Sequence, residues 1–344
     1  MKTLRYVLVL FFALQSNAQI SDFDHIDFKK ADSIALECKD EGLHNLPKLA
    51  YRLTSNLETD AERFRAIYMW VCTNIKNDYS LYSKNLRKRK RFETDTIKLQ
   101  NWNDKVKKTI FSNLLKNKKT ICTGYAYILK EISTLAEIKC EIINGFGRTS
   151  TINIETLNTP NHSWNAVLLN DKWYLCDPTW ASGIPNPKTN RFQFSYNDGF
   201  FFPNPELFAV NHFPAQEKWT LLQRNTPSFQ SFLDSPILYG KAYQNLSLHE
   251  APNTMHTTIK KHEKVTFEYQ LKKHIASENI SLLIDNGFSS TKVKPTSMSI
   301  NKQHLILEHQ FNTIGFYDVH FYIDNDLIST YTVDVKRNNF SAKN

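Results

Sequence analysis

The sequence predicts an α+β chain, a helix-led mixed core followed by an all-β sandwich, on three observations. Apolar residues recur at helical spacing over Glu62 to Ile75 and again over residues 122–137. A strand–turn–strand pattern surrounds Asn170-Asp171, and from about Thr226 onward strand-like runs alternate with turn residues. About 325 residues follow the leader described next, more than one core ordinarily accommodates, so two domains are expected.

Lys2 and Arg5 precede an apolar run from Tyr6 to Leu14, and Ser16-Asn17-Ala18 puts small residues where a signal peptidase reads. The run is too short for a stable bilayer anchor. Residues 1–18 are therefore expected to be a secretory signal cleaved after Ala18, giving a secreted, periplasmic or extracellular protein with no stable membrane span. A retained leader is the alternative. No cysteine closely follows the cleavage point, so a lipid-anchored form is not expected.

Residues 19–57 read as an N-terminal helical segment, with one or two short polar helices broken near Gly42 and Pro47. Residues 58–225 form the expected core. Phe64, Ile67, Tyr68, Val71 and Ile75 mark an amphipathic helix with Asp60 as its cap, whereas residues 80–108, charged and weakly periodic, read as a loop or poorly packed insertion. Ala126, Leu129, Ile132, Leu135 and Ala136 give a buried stripe to the helix over 122–137, with Thr120 or Cys122 near its start. Ile138–Phe146 alternates as a strand, and Ser163–Leu169 with Lys172–Asp177 makes the hairpin. An irregular stretch rich in Pro, Asn and Phe runs to about Trp219. Residues 226–344 are the expected sandwich, with strands at 265–269, 280–284, 305–309, 315–323 and 327–335 and a hairpin tip at Asn325-Asp326.

The net charge is +9, or +7 without the leader, and its distribution is uneven. Lys84 to Lys119 holds thirteen Lys or Arg against Glu93, Asp95 and Asp104, a balance of +10, so the rest of the mature chain is slightly acidic. A leader removes the chain from nuclear partners, and charge runs are usually solvated, so no nucleic-acid partner is expected. The basic stretch suits a cell-surface or acidic partner instead. All five cysteines lie in the mature chain, so at least one is free or pairs between molecules. With Cys122 free, Cys38, Cys72, Cys140 and Cys176 allow three pairings. None sits in zinc-ligand spacing, so neither a metal nor a cofactor is expected.

Three phrases carry chemistry: Lys119-Thr120-Ile121-Cys122-Thr123-Gly124-Tyr125-Ala126, Asn161-His162-Ser163-Trp164-Asn165 and Trp173-Tyr174-Leu175-Cys176-Asp177-Pro178-Thr179-Trp180. A cysteine opening a helix meets unpaired N–H groups and the positive end of the dipole, which favour thiolate. Small residues at Gly124 and Ala126 are expected to keep the first turn open to substrate. If Asn170-Asp171 closes the hairpin symmetrically, Trp164 faces Asp177 and His162 faces Thr179. His162, Trp164 and Asp177 then share one face, with His162 and Asp177 diagonal neighbours about 7–8 Å apart at the backbone. A thiol, an imidazole and a carboxylate so arranged are the parts of an acyl-transfer site. Trp164 would shield the pair, and Cys176 would point to the other face as a packing residue.

These phrases resemble the transglutaminase-like superfamily of papain-fold proteins, in the branch containing the kyphoscoliosis peptidase and the yeast cytokinesis protein. The resemblance runs from about Asp60 to Leu222. It includes Ala66-Ile67-Tyr68-Met69-Trp70-Val71 and a trailing segment, Phe201-Phe202-Pro203-Asn204-Pro205-Glu206-Leu207-Phe208 with His212-Phe213-Pro214 and Trp219. It implies a papain-like core, an immunoglobulin-like β domain, and catalytic roles for Cys122, His162 and Asp177. Ser163 and Ala181 depart mildly from the family, which often has Ala and Gly there. The resemblance leaves the oxyanion donor open, and Trp102, through its indole N–H, is a candidate beside its reading as an ordinary packing residue. The expected function is a cysteine peptidase or amidase acting through a thioester on a protein or peptide, with cross-linking by amine transfer the less favoured outcome. The alternative is an inactive scaffold or adhesion module.

Overall fold

A computed structural model describes residues 20–185 and 191–338. The leader assigned to residues 1–18 lies outside the described residues.

The N-terminal helices α1 (Lys29–Glu37) and α2 (Leu46–Thr54) pack against α3 (Asp60–Asn74). Pro47 opens α2 rather than breaking a helix, since a first-turn position has no N–H obligation to lose. The cap of α3 is Thr59, not Asp60: Thr59 accepts from the Glu62 N–H while Glu62 accepts from the Thr59 N–H, a reciprocal capping box. Because the later helix Cys122–Leu135 packs against α3 as α1 and α2 do, Phe64, Ile67, Tyr68, Trp70, Val71 and Cys72 are all buried.

The short parallel pair β1 (Lys76–Asn77) and β2 (Lys119–Thr120) brackets the charged stretch. Residues 80–108 are not a loop. They lie in two helices, α4 (Tyr79–Arg91) and α5 (Thr96–Asn117), capped by Asp78 and Asp95. A narrow seam holds them: Leu81 of α4 meets Val106 and Ile110 of α5, with Ile121 beneath. Charges on the remaining faces hide that seam from a periodicity reading, while Lys88 to Arg91 in the last turn of α4 complement the negative end of its dipole.

Helix α6 (Cys122–Leu135) packs on an antiparallel sheet ordered β5-β4-β3-β8, made of β3 (Cys140–Gly147), β4 (His162–Leu169), β5 (Lys172–Cys176) and β8 (His212–Pro214). Asn165 faces Cys176 and Leu169 faces Lys172, the register expected of a symmetric turn. Asn170 and Asp171 both have φ in the left-handed region, 48° and 60°, as a two-residue turn of this hand requires. Between β5 and β8 come α7 (Pro178–Ser182), the pair β6 (Gly183–Pro185) and β7 (Phe192–Phe194), and α8 (Pro205–Ala209).

A connector of α9 (Phe229–Asp234), β9 (Ile237–Leu238) and α10 (Gly240–Asn245) leads into the sandwich. Its first sheet is ordered β10-β12-β16-β15: β10 (Leu246–Ala251), β12 (Lys264–Leu271), β16 (His304–Gln310) and β15 (Ser297–Asn301). The second is ordered β11-β18-β17-β13-β14: β11 (His256–Lys260), β18 (Asp326–Lys336), β17 (Gly315–Ile323), β13 (Ile280–Asp285) and β14 (Ser290–Val293), with β9 also pairing β18. The five expected strands are present, and β10, β11, β14 and β15 flank them as edges. Apart from the α4–α5 seam and a small group at Ala31, Leu57 and Ala66, the main cluster of buried apolar side chains runs from Phe23 to Val335, so the core and the sandwich share an interior.

Candidate active site

Cys122 opens α6, where the first-turn N–H groups lack helical partners. Gly124 does not keep that turn open to substrate. A Cβ there would fall 1.9 Å from Thr120 Oγ1, so its role is to let α6 pack onto β2. All five cysteines are buried and unpaired. Burial pushes the thiols of Cys38, Cys72 and Cys176 up, and that of Cys140 up to about 12.

His162 opens β4, and Asp177 follows β5 at the cap of α7. His162 Nε2 lies 2.7 Å from Asp177 Oδ2. The other carboxylate oxygen, Oδ1, accepts the N–H groups of Thr179 at 2.8 Å and Trp180 at 3.0 Å. The Tyr68 hydroxyl donates to the Asp177 carbonyl at 3.1 Å and to that of Phe200 at 3.0 Å. Asp177 is thus gripped through both carboxylate oxygens and its backbone, with no exposed surface.

Burial opposes the charge on Asp177, yet His162 and then His212 hold its carboxyl well below the usual range. Burial likewise opposes protonation of His162, but the adjacent Asp177 carboxylate outweighs it, and a side-chain hydrogen bond with Cys122 adds to the rise. With Nε2 engaged by Asp177, Nδ1 is the ring nitrogen left for the thiol. Trp180 stacks on the His162 ring at 4.9 Å, and fully buried Trp164 sits 5.9 Å away, a shield on the inner side.

One partner was not foreseen. His212 of β8 brings its Nε2 to 3.0 Å from the same Asp177 Oδ2, its ring stacked 3.6 Å from Phe208. Burial holds its pKa down, to about 4, so it sits there neutral at ordinary pH. The sequence carried it only as part of a resembling phrase; a three-residue strand pairing with the end of β3 gives no periodicity to read. His162, Asp177 and His212 bring three potential ligand atoms within 4.8 Å. Each is already spent on the shared carboxylate contact, so as arranged they do not suit a cation.

Trp102 does not fit the oxyanion role. Its indole N–H donates to Asn85 Oδ1 at 2.9 Å and its ring packs on the α4–α5 seam. A cavity of about 390 Å³ opens beside Cys122 and His162, and Trp102 is not among its lining residues. Gly147, also on its wall, approaches His162 so closely that a Cβ would meet the His162 Cβ at 2.9 Å.

Residues 47–178 match the family model of the transglutaminase-like superfamily. Kyphoscoliosis peptidase of Homo sapiens is 28% identical over 257 residues, covering 74% of this chain and 36% of that protein. The Mus musculus protein of the same name is 28% identical over 244 residues, covering 70% and 34%. Hillarin of Drosophila melanogaster is 24% identical over 215 residues, covering 58% and 24%. The chain spans about a third of the length of the two kyphoscoliosis peptidases. The family match and the similarity to kyphoscoliosis peptidase support a transglutaminase-like domain over residues 47–178, within a mixed helix-and-sheet architecture that ends in a sheet-rich C-terminal region.

Proposed function

We propose that the chain is a cysteine enzyme acting on amide bonds, with Cys122 as nucleophile, His162 as proton carrier and Asp177 as the group that orients the imidazole. The observation that carries this reading is the 2.7 Å contact between His162 Nε2 and Asp177 Oδ2 at a cavity that Cys122 also lines. In the reaction, the proton shared between Cys122 and His162 rests on His162 Nδ1, the charged ring being favoured by Asp177, and the Cys122 sulfur attacks the amide carbon. The C–S bond forms as the carbonyl electrons move to oxygen, which the Cys122 N–H at the start of α6 receives. Collapse breaks the C–N bond, His162 returns the proton to the departing nitrogen, and a thioester remains. Water, deprotonated by His162, then releases the acid and restores the thiol. A lysine amine in place of water would give a cross-link. We favour hydrolysis because amine transfer needs a site that excludes water, and the name of the human relative, a peptidase, supports that direction.

Intact-mass spectrometry after iodoacetamide treatment at pH 5–6 tests the reading. Labelling at Cys122 that is fast in the wild type and at least about tenfold slower in His162→Ala is expected for an activated thiol. Labelling no faster than an ordinary thiol overturns it.

A second reading, a non-catalytic scaffold, draws support from the 7% exposure of Cys122 and from the size of the sandwich. Cys122→Ala separates the two: a scaffold keeps its cellular role and an enzyme loses it. We also propose that the protein is exported, on the composition of residues 1–18; an exported form beginning at Gln19 is expected by N-terminal sequencing, and an unprocessed one overturns this. Finally, the basic faces of α4 and α5 are proposed to attract acidic proteins or surface polymers toward the site.

A further inference from the structure

We infer that the cavity beside Cys122 receives a bulky, uncharged, apolar or aromatic side chain of a peptide, next to the carbonyl under attack, and that the connector between core and sandwich sets this preference. The inference rests on the acyl-transfer reading above and names its substrate class.

The volume, about 390 Å³, is that of a pocket for a specific small group rather than a surface dimple. Tyr79 and Tyr82 project into it from α4, Ile184 and Phe192 from the β6–β7 pair, and Leu238 and Tyr243 from the connector. No Asp, Glu, Lys or Arg lines it among the described residues. A lysine or arginine entering would lose water and find no carboxylate, and a carboxylate would find only His162, whose charge Asp177 already pairs at 2.7 Å, which disfavours both.

The connector wall is held in place from both sides. Asn211 Nδ2 donates to the Leu238 carbonyl at 2.8 Å, and Asn197 Nδ2 to the Gly240 carbonyl at 2.7 Å. The Tyr239 N–H donates to the Ile328 carbonyl of β18 at 2.9 Å. Arg148, itself 1% exposed, donates to the carbonyls of Ser235 and Pro236, both at 2.5 Å. A wall fixed by core and sandwich alike is pre-organised, which is what selectivity between side chains requires. Helix α4 then has two tasks on two faces, tyrosines toward the cavity and a basic run toward solvent.

The test is a series of peptidyl acyloxymethyl ketones differing only in the residue beside the ketone: Phe, Leu, Ala, Asp or Lys. In each, the Cys122 sulfur bonds to the methylene carbon and a carboxylate leaves. Labelling of the full mature chain is followed by intact mass, in the wild type and in Ile184→Lys, a substitution at the 62%-exposed rim. Phe and Leu probes are expected to label about tenfold or more faster than Asp and Lys probes, and Ile184→Lys to speed the Asp probe specifically. Labelling that ignores the side chain, or favours a charged one, overturns the inference while leaving the thiol chemistry intact. Absence of labelling by every probe overturns the acyl-transfer reading. The pocket is then decided by binding of the same peptides as plain amides to Cys122→Ala, read by intrinsic tryptophan fluorescence. A tenfold preference for Phe over Asp supports it, and equal or absent binding overturns it.

Discussion

His162 and His212 meet at a single atom: both Nε2 nitrogens approach Asp177 Oδ2, at 2.7 Å and 3.0 Å. The two imidazoles differ in what burial does to them. His162 gains enough from the carboxylate to favour its charged form, while His212 stays neutral and donates one hydrogen bond. In this arrangement His212 limits the rotation of the carboxylate that in turn holds His162. It is a positioning residue.

His212→Phe removes the donor and is expected to slow iodoacetamide labelling of Cys122 about tenfold, while His212→Gln, which keeps an N–H, retains most of the rate. A purely structural role would lower thermal stability in both variants and leave the shape of the labelling–pH profile unchanged. The positioning role moves that profile in the Phe variant.

Stability should depend on pH with a sign fixed by these shifts. His212 and His249 are each held, by burial, down to about 4 from an ordinary 6.5. Between those values the unfolded chain binds protons that the folded chain does not, so stability falls as pH drops from 6.5 toward 4. His162 is raised, so its contribution is complete below its ordinary value of 6.5 and is lost as pH rises toward its folded value. Asp177 is lowered, so its contribution is present above its ordinary 3.8 and is lost below that. Thermal melting from pH 4 to 9 should therefore peak near neutrality. Replacing His212 with Phe should flatten the acid limb, by on the order of 2 kcal/mol between pH 6.5 and 4.

Gly124→Ala is expected to destabilise the fold by about 1–3 kcal/mol, because the new methyl collides with the Thr120 side chain. Adding Thr120→Ala should recover part of the loss in chemical denaturation. Simple additivity of the two changes would rule out the contact as the cause.

Electrostatic attraction by α4 and α5 predicts that turnover of an acidic substrate falls severalfold between about 20 mM and 500 mM salt, at constant turnover of a neutral one. Equal salt dependence for both substrates would remove the basic faces from the account.

The hairpin leading from His162 toward Asp177 was legible because its turn is local, although its paired register ends at Asn165 and Cys176 and Asp177 itself caps α7. Asn170-Asp171 fixes the turn, the turn fixes the register, and alternation then decides which side chains share a face. The buried helices were legible for the same reason. Helices α4 and α5 were missed because their packing seam is narrow, and thirteen basic residues between Lys84 and Lys119 dominate any average. The Trp102 indole N–H suggests an oxyanion donor from sequence alone, but it is satisfied by Asn85, one helix away. His212 depends on a contact across 35 residues, and no local pattern announces it. The edge strands of the sandwich share that obscurity, since an edge is defined by its neighbour more than by its own sequence.

The connector running from Ile237 to Tyr243 begins well beyond Pro178, where the match to the family model stops. On the proposed reading, part of the selectivity wall thus lies on a stretch apart from Cys122, His162 and Asp177, while Tyr79 and Tyr82 contribute to it from within the matched segment. Substitutions in the connector could redirect such a protein to new clients while leaving Cys122, His162 and Asp177 untouched, a route to divergence that spares the chemistry from the risks of change.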